Sequence, residues 1–189
     1  PLFPETMGDI NFSIDTGVVE ALKRVLRLEV FVETGTFEGD AIEIARPYFD
    51  AVHSIELSPE YYEHARSRFS QDPGIHLYLG DSGKKMTELQ PVFRGKSALF
   101  WLDPHCCVAH DKGPEKSQCP LLEEIRGIGQ LTAESVILLD DDRLTERHGL
   151  GRVAEISGEV KPLRAPTDVE QVLHRAQPAV VVVVDVARR

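Results

Sequence analysis

Acidic residues stand at the ends of several apolar runs in this chain, and they are the first candidates for chemistry. Glu33 closes one such run and is followed by a turn with two glycines, Gly35 and Gly39. A strand that leaves through so bare a turn lets backbone N–H groups approach a ligand closely. A plain tight turn between a strand and a helix explains the same residues equally well. The spacing matches neither the dinucleotide fingerprint G-x-G-x-x-G nor a phosphate-binding loop with G-K-[ST].

Two later acids extend the same pattern. Glu56 ends the run AVHSIE, where a carboxylate can accept hydrogen bonds from two ribose hydroxyls. Asp81 follows the run IHLYLG, where it can accept from the exocyclic amine of an adenine. These two acids are therefore candidates for holding a ribose and an adenine.

Alternating strands and helices position these acids. Apolar runs predict strands at 30–34, 51–57, 75–79, 97–103, 135–142 and 179–186. Helical spacing predicts helices at 16–28, 39–49, 61–69, 84–93, 121–131 and 168–177. We expect Ser58 to cap the third helix with its side chain, and Pro91 to break the fourth. Continuously apolar strands indicate a parallel sheet covered on both faces. The fold class predicted is α/β: a Rossmann-like, doubly wound, mostly parallel sheet with helices on both faces, whose ligands bind at the carboxyl ends of the strands.

The composition excludes several classes of partner. A net charge of −10 and a pI of about 5.2 argue against a nucleic-acid footprint and against an anionic membrane surface. The three cysteines, Cys106, Cys107 and Cys119, are odd in number and argue against a disulfide framework. They predict a reducing, cytoplasmic setting. The sequence has no run of about 18 apolar residues, and its first residues do not resemble a secretory signal.

Taken together, the first turn, the segment IELS at 55–58 and the segment LGDS at 79–82 resemble the class I S-adenosylmethionine-dependent methyltransferases. In that family the first acid and its glycines hold the methionine part of the cofactor, the second acid holds the ribose, and the third contacts the adenine. The resemblance covers about residues 30–142. It implies that the cofactor-binding residues are Glu33, Gly35, Thr36, Phe37, Gly39, Glu56, Leu57, Asp81, Ser82 and Asp103.

Phe37 departs from the family pattern, which usually has a glycine at that place. Its ring either forms a wall of the cofactor pocket or indicates that cofactor binding is lost. The resemblance also implies seven strands, so the strand without a clear apolar run is either hidden in 152–165 or absent. We predict a single domain, divided as follows: an N-terminal helical segment at 1–28, a cofactor-binding core at 29–142 and a C-terminal part at 143–189 that completes the sheet.

The acceptor side of the site is expected at the ends of the fourth and fifth strands. Methyl transfer needs an acceptor that is held in line and loses its proton, either to a side-chain base or with the help of a metal ion. The two strands are neighbours in the family, about 4.8 Å apart. Asp103, Asp140 and Asp141 can therefore share one hard cation such as Mg²⁺. This arrangement is similar to that of metal-dependent small-molecule O-methyltransferases. The similarity implies that His105 is the catalytic base and that Asp103 is the second catalytic residue.

Other interpretations stay open for these residues. The acids can cap the helices that follow them or lie in an exposed turn. The His and Cys residues of the loop at 104–119 fit no zinc-binding spacing, and a loop of that length is more typical of a lid.

The sequence therefore predicts S-adenosylmethionine-dependent methyl transfer to a small-molecule acceptor, at an oxygen and with Mg²⁺ assistance. We expect neither a nucleic acid nor a membrane as partner, and a homodimer is one way to complete the acceptor pocket. One alternative is a binding module without catalysis, motivated by Phe37. The other is a metal-dependent hydrolase on the same sheet.

Overall fold

The computed structural model describes residues 13–102, 120–132, 134–140, 160–163 and 180–184. The last two ranges and Asp140 are described through their backbone alone. Strands and helices alternate through most of these residues, as the apolar runs and the helical spacing predict.

The described strands form one seven-stranded sheet in the order β3-β2-β1-β4-β5-β7-β6. Their bounds are β1 Val30–Thr34, β2 Ala51–Glu56, β3 Ile75–Leu79, β4 Ala98–Leu102, β5 Val136–Asp140, β6 Val160–Leu163 and β7 Val180–Val184. Every pairing between neighbours is parallel. The predicted Rossmann-like parallel sheet is confirmed, and β6 falls inside the window expected for the hidden strand.

Five helices lie in the described residues, and none of them is long and apolar enough to cross a membrane. Their bounds are α1 Thr16–Val25, α2 Asp40–Ala45, α3 Pro59–Arg68, α4 Ser82–Phe93 and α5 Leu121–Ile128. The predicted last helix, at 168–177, lies outside the described residues.

Two local predictions about these helices were wrong. Pro91 does not break α4, which continues to Phe93. A proline in the last turn removes just one helical hydrogen bond, and Arg94 still bonds back to Gln90. Ser58 does stand at the N-cap of α3, but its side chain makes no cap hydrogen bond. Its backbone N–H binds the preceding acid Glu56 instead, at 2.7 Å.

Two apolar layers hold the sheet from opposite sides. On one side α1 and α2 pack on strand residues such as Phe31, Val52 and Trp101. On the other side α4 and α5 pack on the alternate strand residues, including Val32 and Phe100. Successive strand residues point to opposite faces, so each apolar run supplies both layers at once. This construction explains why β1, β4 and β5 are apolar until they reach their carboxyl ends.

A polar cluster interrupts the α4 side of the sheet at β2 and β3. His53 is buried and lies opposite His76 in the strand register, with the two rings stacked at 4.7 Å between centroids. The His53 Nδ1 atom lies 3.0 Å from the Tyr78 hydroxyl. Burial, followed by the charges of His76 and Lys96, lowers the pKa of His53 from 6.5 to about 4. The fold therefore keeps this imidazole neutral.

The lowered pKa predicts a loss of stability in mild acid. Below pH 6.5 the unfolded chain protonates His53, whereas the folded chain does so only near pH 4. The free energy of unfolding should therefore fall as the pH falls from 6.5 to 4, by up to about 3 kcal/mol from this group. Urea unfolding at several pH values measures that fall, and His53→Gln should make it shallower.

The matched control is His64→Gln, because His64 is exposed on α3. This substitution should leave the slope of stability against pH as it is in the wild-type protein. An equal slope in His53→Gln and the wild-type protein would contradict the burial argument.

Candidate functional site

The turn after β1 is bound directly to the neighbouring strand β2. The Gly35 N–H donates to the Ile55 carbonyl at 2.9 Å, and the Phe37 N–H donates to Glu56 Oε2 at 2.9 Å. Between them the hydroxyl of Thr36 also reaches β2. Three successive turn residues are thus hydrogen-bonded to β2, and these bonds hold the turn against the sheet.

Glu56 joins three segments at the carboxyl ends of the strands. One carboxylate oxygen accepts the Phe37 N–H and the other accepts the Ser58 N–H, while the Glu56 carbonyl accepts the Gly80 N–H at 2.8 Å. The side chain is 8% exposed. A carboxylate offers about four acceptor positions, so one position on each oxygen stays open beside these amides.

A second buried acid lies one strand away. Glu33 is 2% exposed and stands opposite Ser54 in the β1–β2 register. The Ser54 hydroxyl donates to Glu33 Oε2 at 2.6 Å, and Thr36 Oγ1 lies 2.6 Å from the same hydroxyl. Three polar side chains therefore form a hydrogen-bonded chain next to the apolar layer under α2.

Gly39 lets another part of the protein lie against the turn after β1. Its φ is +87°, and a Cβ built there would lie 2.7 Å from the ring of Phe69. The Arg68 guanidinium binds the Glu38 carbonyl and the carboxylate of Glu43 at the same place. The second glycine of the motif therefore admits the end of α3, and this close approach is internal to the protein.

Phe37 is the one non-glycine residue with a positive φ in the described part of the chain, at 48°. Such a conformation is strained, and strained residues concentrate at functional sites. Its ring is 42% exposed and lies 4.7 Å from the ring of Tyr61, between centroids. Leu57 is 63% exposed beside Glu56. An aromatic and apolar rim therefore borders the buried carboxylates.

Asp81 and Ser82 follow β3 at the same edge of the sheet. Asp81 is exposed, and its Oδ1 accepts the Lys84 N–H at 3.1 Å, which makes it the N-cap of α4. Helix capping uses one acceptor position of this carboxylate. The predicted contact with an adenine stays a prediction.

The hydrogen bonds of the turn decide which ligands it suits. Of the five residues 35–39, three donate their N–H groups within the chain: Gly35, Phe37 and Gly39, the last to the Thr36 carbonyl at 2.8 Å. A phosphate needs such groups directed at the ligand, as at a phosphate-binding loop. Two buried carboxylates beside the turn repel an anion and favour hydroxyls or a positive charge.

The residues predicted for the acceptor side fall outside this description. Asp103, His105 and Asp141 lie outside the described residues, as does the side chain of Asp140. Among the described residues, no group of three or more His, Cys, Asp or Glu side chains is placed to hold a metal ion. The magnesium site and the base therefore stay predictions.

Ser54 is the one site residue that the sequence pattern did not single out. It is a lone hydroxyl in the strand AVHSIE, and such a residue is compatible with either face of a strand. The available signal was this small polar residue next to apolar strand residues such as Val52 and Ile55. Its partner Glu33 depends on the pairing register between the strands, which the sequence does not display.

Neither a protein-family model nor a curated protein sequence matches this chain. Among solved structures, human methyltransferase-like protein 13 in complex with S-adenosylhomocysteine is similar, at a TM-score of 0.51 and 15% identity. The likeness covers 76% of this chain and 69% of that one. At this identity the comparison shows the fold: a class I methyltransferase-like, Rossmann-like α/β sheet.

Two further structures were matched at lower TM-scores. An S-adenosylmethionine-dependent methyltransferase from Clostridium acetobutylicum has a TM-score of 0.48 and 17% identity, over 70% of this chain and 51% of that one. BdcA in complex with NADPH has a TM-score of 0.47 and 13% identity, over 82% of this chain and 93% of that one. The chain thus spans about half the length of the Clostridium protein.

The contact between Gly39 and Phe69 predicts a strong effect of an added methyl group. Gly39→Ala should lower the free energy of unfolding through both its positive φ and the overlap with the ring. Gly95 provides the matched control, because its φ is +77° and nothing lies within 4 Å of a Cβ built there. In urea unfolding, Gly39→Ala should cost about 1–3 kcal/mol more than Gly95→Ala. Equal costs would show that the Phe69 ring does not restrict this position.

Proposed function

We propose that this protein binds S-adenosylmethionine at the carboxyl ends of β1, β2 and β3 and transfers its methyl group to a small-molecule acceptor. One observation carries the proposal: three of the five residues of the turn use their amides internally, while two buried carboxylates border it. Such a site suits a ligand with hydroxyl groups and a positive charge, and it opposes the pyrophosphate of a dinucleotide. S-adenosylmethionine carries a ribose, an ammonium group and a sulfonium group.

The residues present fit the parts of this ligand. Glu56 keeps an acceptor position on each oxygen, which matches the two ribose hydroxyls. Glu33 offers a negative charge for the ammonium group of the methionine part. The exposed Leu57 and the ring of Phe37 supply apolar surface for the adenosine. Asp81 and Ser82 follow β3 next to the Gly80–Glu56 hydrogen bond, where they border the base.

The chemistry that the chain must supply is modest. When bound, S-adenosylmethionine supplies a methyl group on a positively charged sulfur atom, which is already activated for transfer. The protein has to orient the acceptor in line with that group and take up the acceptor's proton. We assign the two buried carboxylates to binding and orienting the cofactor, and not to the proton transfer.

We assign the acceptor side to Asp103, His105, Asp140 and Asp141, with an oxygen as the methylated atom. The register supports this assignment, because Leu102 pairs with Leu139 and so brings the ends of β4 and β5 side by side. Asp103 follows Leu102 along the sequence, and Asp140 follows Leu139. Oxygen ligands of this kind suit Mg²⁺, which would lower the pKa of an acceptor hydroxyl, and His105 would take its proton.

Calorimetric titration with S-adenosylhomocysteine tests the cofactor site. The wild-type protein should bind with a dissociation constant on the order of micromolar. Glu56→Gln should weaken binding on the order of tenfold or more, because an amide nitrogen cannot accept the ribose hydrogen bond. The control Glu63→Gln alters an exposed acid of α3 paired with Arg66 and should bind as the wild type does. If the wild-type protein binds neither this ligand nor S-adenosylmethionine, the proposed function is wrong.

A metal titration tests the acceptor side separately. With a panel of small hydroxyl-bearing acceptors, methyl transfer should be lost in EDTA and restored by added Mg²⁺. Asp140→Asn should lower the rate by about tenfold or more at limiting Mg²⁺, because it removes one charged ligand. Asp142→Asn is the control, since that acid is not assigned to the metal. Turnover unaffected by EDTA would refute the metal, and binding without turnover on any acceptor would favour the non-catalytic module.

A further inference from the structure

Ser54 occupies a place where a hydroxyl is costly to bury. It is fully buried on β2, next to Val52 and the apolar layer that includes Phe31. Alanine or valine would pack on such a strand without any polar group to satisfy. Burying a hydroxyl is tolerated when it is hydrogen-bonded, and Ser54 has two partners, Glu33 and Thr36, each at 2.6 Å.

The direction of this hydrogen-bonded chain follows from counting protons. The Ser54 hydroxyl donates its single proton to Glu33 Oε2. The contact between Thr36 and Ser54 then requires the Thr36 hydroxyl to donate. The order is therefore Thr36 to Ser54 to Glu33, with both protons directed toward the negative charge. Chains of this kind polarise one another and hold their members in one orientation.

We propose that Ser54 is a positioning residue, which holds the Glu33 carboxylate in the orientation that receives the ammonium group of the bound amino-acid part. The proposal rests on the function proposed above and adds a residue to it. Ser54 acts through Glu33 and does not itself reach the ligand. Glu56, which serves the ribose, is held by separate donors, the amides of Phe37 and Ser58. The two halves of the ligand are thus recognised through independent sets of hydrogen bonds.

This independence gives a test with two ligands. S-adenosylhomocysteine contains the amino-acid part, whereas 5′-methylthioadenosine has the adenosine and its sulfur without the amino acid. Ser54→Ala should weaken the binding of S-adenosylhomocysteine on the order of tenfold, since it removes a hydrogen bond to a charged group. Binding of 5′-methylthioadenosine should change by less than about twofold, because the Glu56 contacts remain. Calorimetric titration of both ligands against both proteins measures the four affinities.

Four further variants separate positioning from a merely structural role. Glu33→Gln should show the same selective loss, and the double variant should lose no more than Glu33→Gln alone, because Ser54 acts through that acid. Ser54→Cys keeps a weak donor of similar shape and should recover part of the affinity. Thr36→Val removes the first donor of the chain, keeps the direct Ser54 contact and should give a smaller selective loss. If urea unfolding shows that Ser54→Ala does not fold, Thr36→Val takes its place in the comparison of the two ligands.

The failures of the two proposals are distinguishable. If the wild-type protein binds both ligands and Ser54→Ala weakens both equally, or weakens neither, the positioning role is refuted and the cofactor site stands. Additive losses in the double variant would refute it as well. If the wild-type protein binds neither ligand, the proposed function fails and the role of Ser54 fails with it.

Discussion

The pairing register between β1 and β2 is the constraint on which the site depends. It places Glu33 opposite Ser54 and brings the following turn against Ile55 and Glu56. Side chains alternate between the two faces of a strand, so a shift of β2 by one residue would turn Ser54 to the opposite face and place His53 or Ile55 opposite Glu33. The buried acid would then lose its hydroxyl donor. The apolar layers on both sides of the sheet fix this register, because the same shift would turn the apolar residues of the strand to the opposite face.

Burying two carboxylates side by side is unfavourable unless each is well supplied with donors. The chain supplies them in two ways: a hydroxyl for Glu33 and two backbone amides for Glu56. One of these two amides, that of Phe37, belongs to the turn after β1 and is therefore not available to a ligand there. The hydrogen bond that makes Glu56 tolerable thus also leaves the turn one donor fewer for an anionic ligand.

Much of the fold could be read from the sequence, and the reason is the regularity of a parallel sheet. Apolar runs such as Val30–Thr34 identify strands, and the acids that end them mark the edge where ligands bind. The partner of Glu33 could not be read, because register is a property of two strands and their packing. Ser58 was misjudged for a related reason: a nearby carboxylate took its backbone N–H, while its side chain stayed uninvolved. Pro91 was misjudged because the hydrogen bond lost at this proline does not prevent the next ones, and the Arg94 N–H still reaches the Gln90 carbonyl.

The strand order has a consequence for how the site comes together during folding. The segment from Val30 to Ser82 carries the residues that we propose for cofactor binding, and its strands β1, β2 and β3 are joined by short local crossovers through α2 and α3. The contact of β1 with β4 needs a much larger closure, as between Glu29 and Ser97, 68 residues apart. Closing a longer loop costs more chain entropy and slows the formation of contacts. A partly folded chain with these three strands in place would therefore already contain both buried acids and the donors described for them, before β4 and β5 join the sheet.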